Sequence, residues 1–257
     1  ADGTVALTEM SVSDDGNLLA YGTAGAGSDW QEWKVRDVFT GKDLADSIKW
    51  VKFSTAAWTR DSRGFYYSRF DEPKTGEEMQ AVNYFEKLYY HRIGEQQSAD
   101  LLVYERKDQK EWGFDGSVTE DGSYLIIHVS TGTDVKNRVF YKDLRTNGNV
   151  VELLNEFDAR YHVTGNDGPV LWVVTDFMAP RSRLIAIDIR KPDRENWQEL
   201  IPEAAQTLEN VTVVGSRFIA SYLKDAHAQV KVFELDGKFV SEIELPVLGT
   251  ASGFVGK

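Results

Sequence analysis

The sequence predicts an all-β fold, a β-propeller of four-stranded antiparallel blades, and three observations predict it. Val, Ile, Tyr, Phe and Trp come in short runs bounded by Gly, Asp, Asn and Ser, which is the composition of strands and tight turns. Few stretches hold an apolar period of 3.6 over the length of a helix. One phrase recurs along the chain: a small polar start, an acidic or Asn-containing pair, a glycine, then an apolar run. It reads Ser13-Asp14-Asp15-Gly16 before Leu18-Leu19-Ala20-Tyr21, and Thr59-Arg60-Asp61-Ser62-Arg63-Gly64 before Phe65-Tyr66-Tyr67. It returns as Thr119-Glu120-Asp121-Gly122, Asn166-Asp167-Gly168 and Val214-Gly215, each leading into a hydrophobic strand. Gly16, Gly64, Gly122, Gly168 and Gly215 stand 48, 58, 46 and 47 residues apart. A two-sheet sandwich has turns in plenty but no such long period, whereas a propeller blade repeats on this scale.

Each element follows from the phrase. Asp-Gly supplies the positive φ of a two-residue hairpin turn, and the run after it reads as a buried inner strand. An aromatic third strand comes next: Trp33–Asp37, Leu88–His91, Val139–Asp143, Leu184–Asp188 and Val230–Phe233. A shorter fourth strand closes the unit, as in Leu101–Tyr104 and Val240–Leu245. The whole chain, 1–257, thus reads as one partial propeller domain with blade-like units at roughly 8–55, 56–112, 113–160, 161–208 and 209–248. Residues 249–257 read as the start of a further blade, and Thr4–Leu7 as a strand of the preceding turn of the ring. The polar stretch Lys74–Glu86 reads as a long hairpin loop and accounts for the one long interval.

Composition excludes several classes of function. The net charge is −12 with no Lys/Arg-rich stripe, which argues against nucleic acid as a partner, because a phosphate backbone needs clustered cations. No apolar run is long enough to span a bilayer, so no membrane partner is expected. Cysteine is absent, which removes disulfides, zinc–thiolate sites and a thiol nucleophile. The chain starts with Ala and shows no leader pattern, and it reads as a processed chain or a piece of a longer one. Cytoplasm and periplasm stay equally open.

The search for a catalytic apparatus is negative: no catalytic residue, metal ligand set or cofactor motif is expected. Gly249-Thr250-Ala251-Ser252-Gly253 places its serine one position too late for a G-x-S-x-G elbow. His91, His128, His162 and His227 fall in different units without a His or Glu at metal spacing. His91 and His128 read as satisfied structural histidines. The carboxylates of the Asp-Gly turns accept backbone N–H groups, which is a structural duty.

The wording of the chain resembles the prolyl oligopeptidase family. The resemblance runs through Ala20-Tyr21-Gly22, Ser28-Asp29-Trp30, Val51-Lys52-Phe53-Ser54, Trp58-Thr59, Gly64–Ser68, Lys87–His91, Gly132-Thr133-Asp134 and Asn137-Arg138, in order. It implies a seven-bladed propeller, about five blades of which are present, capping an α/β-hydrolase domain of the same parent chain. It implies a gate that admits short proline-containing peptides to a serine endopeptidase whose catalytic triad lies outside this chain, so that the chain alone hydrolyses nothing. Carried over residue by residue, Phe53 matches a phenylalanine lining the pocket for the third residue upstream of the cleaved bond. Asp29 matches an aspartate orienting a substrate-holding arginine of the hydrolase domain. Gly113 aligns with a methionine of that pocket, and Phe114 beside it is expected to supply the missing apolar surface. Thr133 aligns with a cysteine there, and Ser130 with an arginine of the electrostatic network. Ordinary blade packing is the competing reading for Phe53, and a turn-capping role is the one for Asp29. The alternative for the whole chain is a stand-alone TolB-like propeller acting as a protein-interaction platform.

Overall fold

The computed structural model describes residues 4–25, 27–74, 83–254 and 256. Among them, strands pair into five four-stranded antiparallel sheets, each built from consecutive strands. Blade 1 contains β1 (Val5–Val12), β2 (Leu18–Gly25), β3 (Gln31–Asp37) and β4 (Asp43–Val51). Blade 2 contains β5 (Ala57–Trp58), β6 (Gly64–Arg69), β7 (Lys87–Arg92) and β8 (Leu101–Glu105). Blade 3 contains β9 (Trp112–Val118), β10 (Tyr124–Thr131), β11 (Arg138–Asp143) and β12 (Val151–Leu154). Blade 4 contains β13 (Tyr161–Asp167), β14 (Val170–Thr175), β15 (Arg183–Asp188) and β16 (Gln198–Ile201). Blade 5 contains β17 (Thr207–Val214), β18 (Arg217–Lys224), β19 (His227–Glu234) and β20 (Phe239–Ile243).

The chain divides into two units, Ala1–Asp134 with Phe140–Glu152, and Val135–Val139 with Leu153–Lys257. In the first unit one core joins blades 1 and 2 through Trp33, Val35, Ile48, Trp58, Phe65 and Tyr67. A second core joins blades 2 and 3 through Tyr66, Leu88, Phe114, Leu125, Ile127 and Phe140. In the second unit Trp172, Leu184, Val211, Phe218 and Tyr222 belong to one core spanning blades 4 and 5. Alternation along each strand turns large side chains toward the neighbouring blade, which is how a blade with two apolar faces hides both.

The recurring phrase is the turn between the first and second strands of each blade, but its geometry differs from the two-residue hairpin expected for all of them. In blades 1 to 3 a four-residue loop is closed by the pairs Ser13 N–H to Leu18 O, Thr59 N–H to Gly64 O and Thr119 N–H to Tyr124 O, at 2.8–2.9 Å. Ser13, Thr59 and Thr119 each donate a hydroxyl hydrogen bond of 2.6–2.7 Å to the aspartate two residues on. Asp15, Asp61 and Asp121 in turn accept the N–H of Asn17, Arg63 and Ser123. Those bonds hold Asp15 and Asp61 below the usual carboxylate range. Two-residue turns occur in blades 4 and 5, where Asp167 pairs with Val170 and Val214 with Arg217.

Blade 2 corrects a second detail. The left-handed turn residue there is Ser62, at φ 54°, in the position that Gly16 and Gly122 fill elsewhere. Gly64 lies in β6, where a Cβ would stand 2.2 Å from the His91 carbonyl oxygen, so it is glycine for close approach. A third correction concerns Val5–Leu7. They do not belong to a preceding unit; they pair with Thr23–Gly25 as the start of blade 1. At the other end, Gly249 O accepts the Ala228 N–H and Phe254 O accepts the Thr212 hydroxyl, and no strand forms at 249–254. Most of the expected loop at 74–86 lies outside the described residues, as do Val255 and Lys257.

The repeat is also visible in the hydrogen bonds between blades. Ser11 Oγ reaches Ala56 O, the Trp58 indole reaches Ser11 O, and Asp15 N–H reaches Ser62 Oγ, across 45, 47 and 47 residues. The Ser68 hydroxyl bonds to Phe114 O across 46, and the Thr164 hydroxyl to Val211 O across 47.

Candidate functional site

Antiparallel pairing sets which loops share an end of a blade. Gln31 pairs with Val51, so the β4–β5 connection lies at the same end of blade 1 as the β2–β3 hairpin. Ser130 pairs with Gly113 and Thr131 with Trp112, which places the start of β9 beside the β10–β11 hairpin in blade 3. Arg69 pairs with Lys87 at the mouth of the long connection in blade 2. Asp29, Phe53, Gly113, Phe114, Ser130 and Thr133 all occupy these loop-bearing ends of blades 1 and 3 in the first unit.

Phe53 is 75% exposed, between Lys52 at 7% and Ser54 at 4%. Its φ of 50° turns the chain into the left-handed region, which is rare for a bulky side chain, and interrupts the buried run around it. Phe53 belongs to neither of the blade-to-blade cores of the first unit. Lys52 turns inward. Its ammonium sits 3.9 Å from the ring centroid of Trp30 and donates to Asn83 Oδ1 at 2.9 Å. Burial holds the lysine pKa below its usual value, opposed by the Asp29 carboxylate. Asp29 is itself exposed in the hairpin, beside Trp30. Trp30 packs edge-on against Trp50 and Phe70, with ring centroids at 5.7 and 6.1 Å. On the other side of Phe53, Ser54 Oγ accepts the Ser68 N–H at 2.8 Å.

Ser68 links this corner to blade 3 through Phe114 O. There Glu86, 8% exposed, accepts the Phe114 N–H at 2.6 Å. Burial pushes its carboxyl up to about 8; the Phe114 N–H opposes the shift and Asp115 adds to it. Asp115 is likewise raised by burial, opposed by the Thr55 hydroxyl, which donates to it at 2.9 Å. A Cβ on Gly113 would meet Ser130 Oγ at 2.9 Å and Glu86 Oε2 at 3.2 Å. The space that a larger residue would claim at position 113 is therefore held by polar atoms. Phe114 does not supply apolar surface in its place. Its side chain is 3% exposed and packs edge-on against Tyr104 in the core between blades 2 and 3. Ser130 and Thr133 are exposed, the latter in the β10–β11 hairpin.

Sequence reasoning did not single out Lys52 or Glu86 for a role. Charge in a strand-like stretch reads as a solvated face, and only contacts formed by folding show these two buried. His91 is the structural histidine expected of it. Its Nδ1 lies 2.7 Å from Asp100 Oδ1 and its Nε2 lies 2.9 Å from Asp46 Oδ1, with the imidazole and Asp46 fully buried. Burial alone would lower its pKa, but the two carboxylates raise it to about 9. Tyr67 donates to the second oxygen of Asp100, and Gly94 N–H to Asp46.

Consecutive four-stranded antiparallel blades of this kind define a β-propeller. The family model for the N-terminal β-propeller domain of prolyl oligopeptidase matches residues 1–257. A prolyl endopeptidase of Elizabethkingia meningoseptica is 35% identical over 99% of this chain. A solved prolyl endopeptidase structure superposes with a TM-score of 0.89 at 37% identity over 99% of the chain. Prolyl oligopeptidase B of Galerina marginata, solved with a 35mer hydrolysis and macrocyclization substrate, gives 0.90 at 26% identity. The chain belongs to the prolyl oligopeptidase family and corresponds to its N-terminal propeller. It spans 36% of the length of the Elizabethkingia relative and 36–37% of these solved chains.

Proposed function

We propose that the chain is the gating propeller of a serine endopeptidase that cleaves short peptides after proline. In this reading it acts with an α/β-hydrolase domain of the same parent chain, without a cofactor, nucleic acid or membrane. The observation that carries the reading is Phe53, an aromatic side chain 75% exposed and held in a left-handed conformation at the loop-bearing end. An apolar peptide side chain would cover this ring and remove its surface from water. Asp29, exposed at the same end, offers two carboxylate oxygens to a guanidinium, the bidentate geometry that fixes an arginine. Ser130, Thr133 and the polar edge at Gly113 and Glu86 make the opposite side of the surface more hydrophilic than the resemblance implies.

The test is Phe53→Ala in the full-length parent protein. Inhibitors with a bulky apolar group three residues before the cleavage point should weaken by about 1–2 kcal/mol, the cost of uncovering part of an aromatic contact. Inhibitors with glycine there should keep their affinity. Equal inhibition constants for both in wild type and variant would remove Phe53 from the substrate surface.

A further inference from the structure

The presentation of Phe53 is itself a device. A bulky residue at φ 50° persists only where its surroundings over-determine it, and here both neighbours are buried and anchored. Ser54 is tied to the β6 backbone through the Ser68 N–H. Lys52 is tied to two separate loops, by its hydrogen bond to Asn83 and by its position over the face of Trp30. A lysine buried to 7% exposure is costly unless its charge is met. Here it is met by the negative face of an indole, an amide oxygen and the Asp29 carboxylate nearby. An uncharged chain of the same length, such as methionine, would have no cation for the indole face or the carboxylate and no N–H for the amide oxygen.

We propose that Lys52 is a positioning residue that sets substrate specificity by holding Phe53 outward in its left-handed conformation. The proposal rests on the reading of Phe53 as a substrate-contacting ring. The Trp30–Lys52–Asn83 contact anchors the backbone immediately before Phe53, on the side opposite the exposed ring. Without the cation, residues 52 and 53 lose the tie to the 27–30 hairpin, and the backbone relaxes toward the extended region that a phenylalanine prefers. The ring then swings from its place on the loop-bearing end. Arginine keeps the charge and stacks on an indole face as well as lysine does, and it should preserve the arrangement.

The experiment uses the full-length parent protein with Lys52→Met, Lys52→Arg, Phe53→Ala and the Lys52→Met/Phe53→Ala double variant. The affinity ratio of two inhibitors is measured, one with an apolar side chain and one with glycine at the third residue upstream of the cleavage point. Lys52→Met should lower this ratio about 5-fold or more, as Phe53→Ala does, and the double variant should lower it no further. Lys52→Arg should restore it to within about 2-fold of wild type. In parallel, 4-fluorophenylalanine at position 53 reports the ring's surroundings by fluorine NMR; its signal should move in Lys52→Met and stay in Lys52→Arg. If Lys52→Met leaves both the ratio and the signal in place while Phe53→Ala lowers the ratio, the positioning role is overturned and the reading of Phe53 stands. If Phe53→Ala leaves the ratio flat while the signal moves with Lys52, the lysine holds the ring but the ring does not meet substrate. A uniform loss for both inhibitors in Lys52→Met also overturns the proposal. Asn83→Ala, which removes one partner and keeps the lysine, serves if Lys52→Met fails to fold, and its ratio should fall in the same direction.

Discussion

The two ends of blades 1 to 3 are built on different principles. At the turn end, Ser13, Thr59 and Thr119 repeat one arrangement with Asp15, Asp61 and Asp121, and the bonds that form each turn join residues two to five apart. At the loop end, no two blades are alike. Lys52 meets Asn83 across 31 residues and Glu86 meets Phe114 across 28, with side chains of different chemistry in each blade. A local rule can be copied from blade to blade because it needs only its own few residues. The surface that discriminates a ligand cannot be copied, because its groups must differ around the site.

The comparison can be broken first where the blades are joined by charge. Replacing His91 with Leu leaves Asp46 and Asp100 buried without their cation, a loss of about 3–5 kcal/mol; hydrogen exchange at amides of β4 and β7 should report it. A loss under about 1 kcal/mol would show that the buried carboxylates find other partners. The turn end should respond more weakly and uniformly. Thr119→Val keeps the shape but leaves the buried Tyr124 N–H without its hydroxyl acceptor, which costs about 1–2 kcal/mol. Ser13→Ala, which does the same to Leu18 N–H, should match it within about 0.5 kcal/mol. Unequal losses would mean that the two turns are alike in geometry but not in energy.

The finest test lies in pH dependence. His91 holds its proton up to about pH 9 in the fold against about 6.5 unfolded, so its contribution is full below pH 6.5 and is lost as pH rises through 9. Glu86 is held neutral up to about pH 8 against 4.5 unfolded, so the fold also loses stability between pH 4.5 and 8 as the unfolded carboxyl ionises first. Glu86→Gln, which keeps an acceptor for the Phe114 N–H, should flatten the decline between pH 4.5 and 6.5, lessen it between 6.5 and 8, and leave the part due to His91 up to pH 9. Asp46, held below the usual carboxylate range despite burial, adds stability that is lost only in acid. Urea midpoints measured across this range separate the contributions, and an unchanged slope in Glu86→Gln would place the titration elsewhere.

What could be read from the sequence follows the same division. The turn phrase and the aromatic third strands were legible because hairpin chemistry is local and alternation exposes its period. The misreadings were also local in origin. Gly64 looks like the turn glycine because it ends the phrase, yet Ser62 bends the chain and Gly64 clears the way for the His91 carbonyl. Val5–Leu7 look detached because only pairing with Thr23–Gly25 joins them to blade 1. Phe53 and Asp29 were legible through resemblance alone. Lys52, Glu86 and the Asp46–His91–Asp100 cluster could not be read, since nothing near a charged residue in the chain says that its partner lies 28 to 45 residues away. Phe114 was misjudged for a related reason: neighbours along a strand face opposite ways, so the residue beside the half-buried Gly113 points into the core.

The bonds that cross from one blade to the next span close to one repeat, 45 to 48 residues for most of them. The mean reach of a native contact therefore does not grow as blades are added. A chain organised in this way faces the same conformational search at every step, closing one loop of a single blade's length onto a surface already formed. The hairpin turns, whose bonds reach only a few residues, close on the microsecond scale before that search begins. The longest reach among these bonds is Thr55 to Asp115, which carries the β4–β5 connection onto β9 across 60 residues and so must wait for the blade between them.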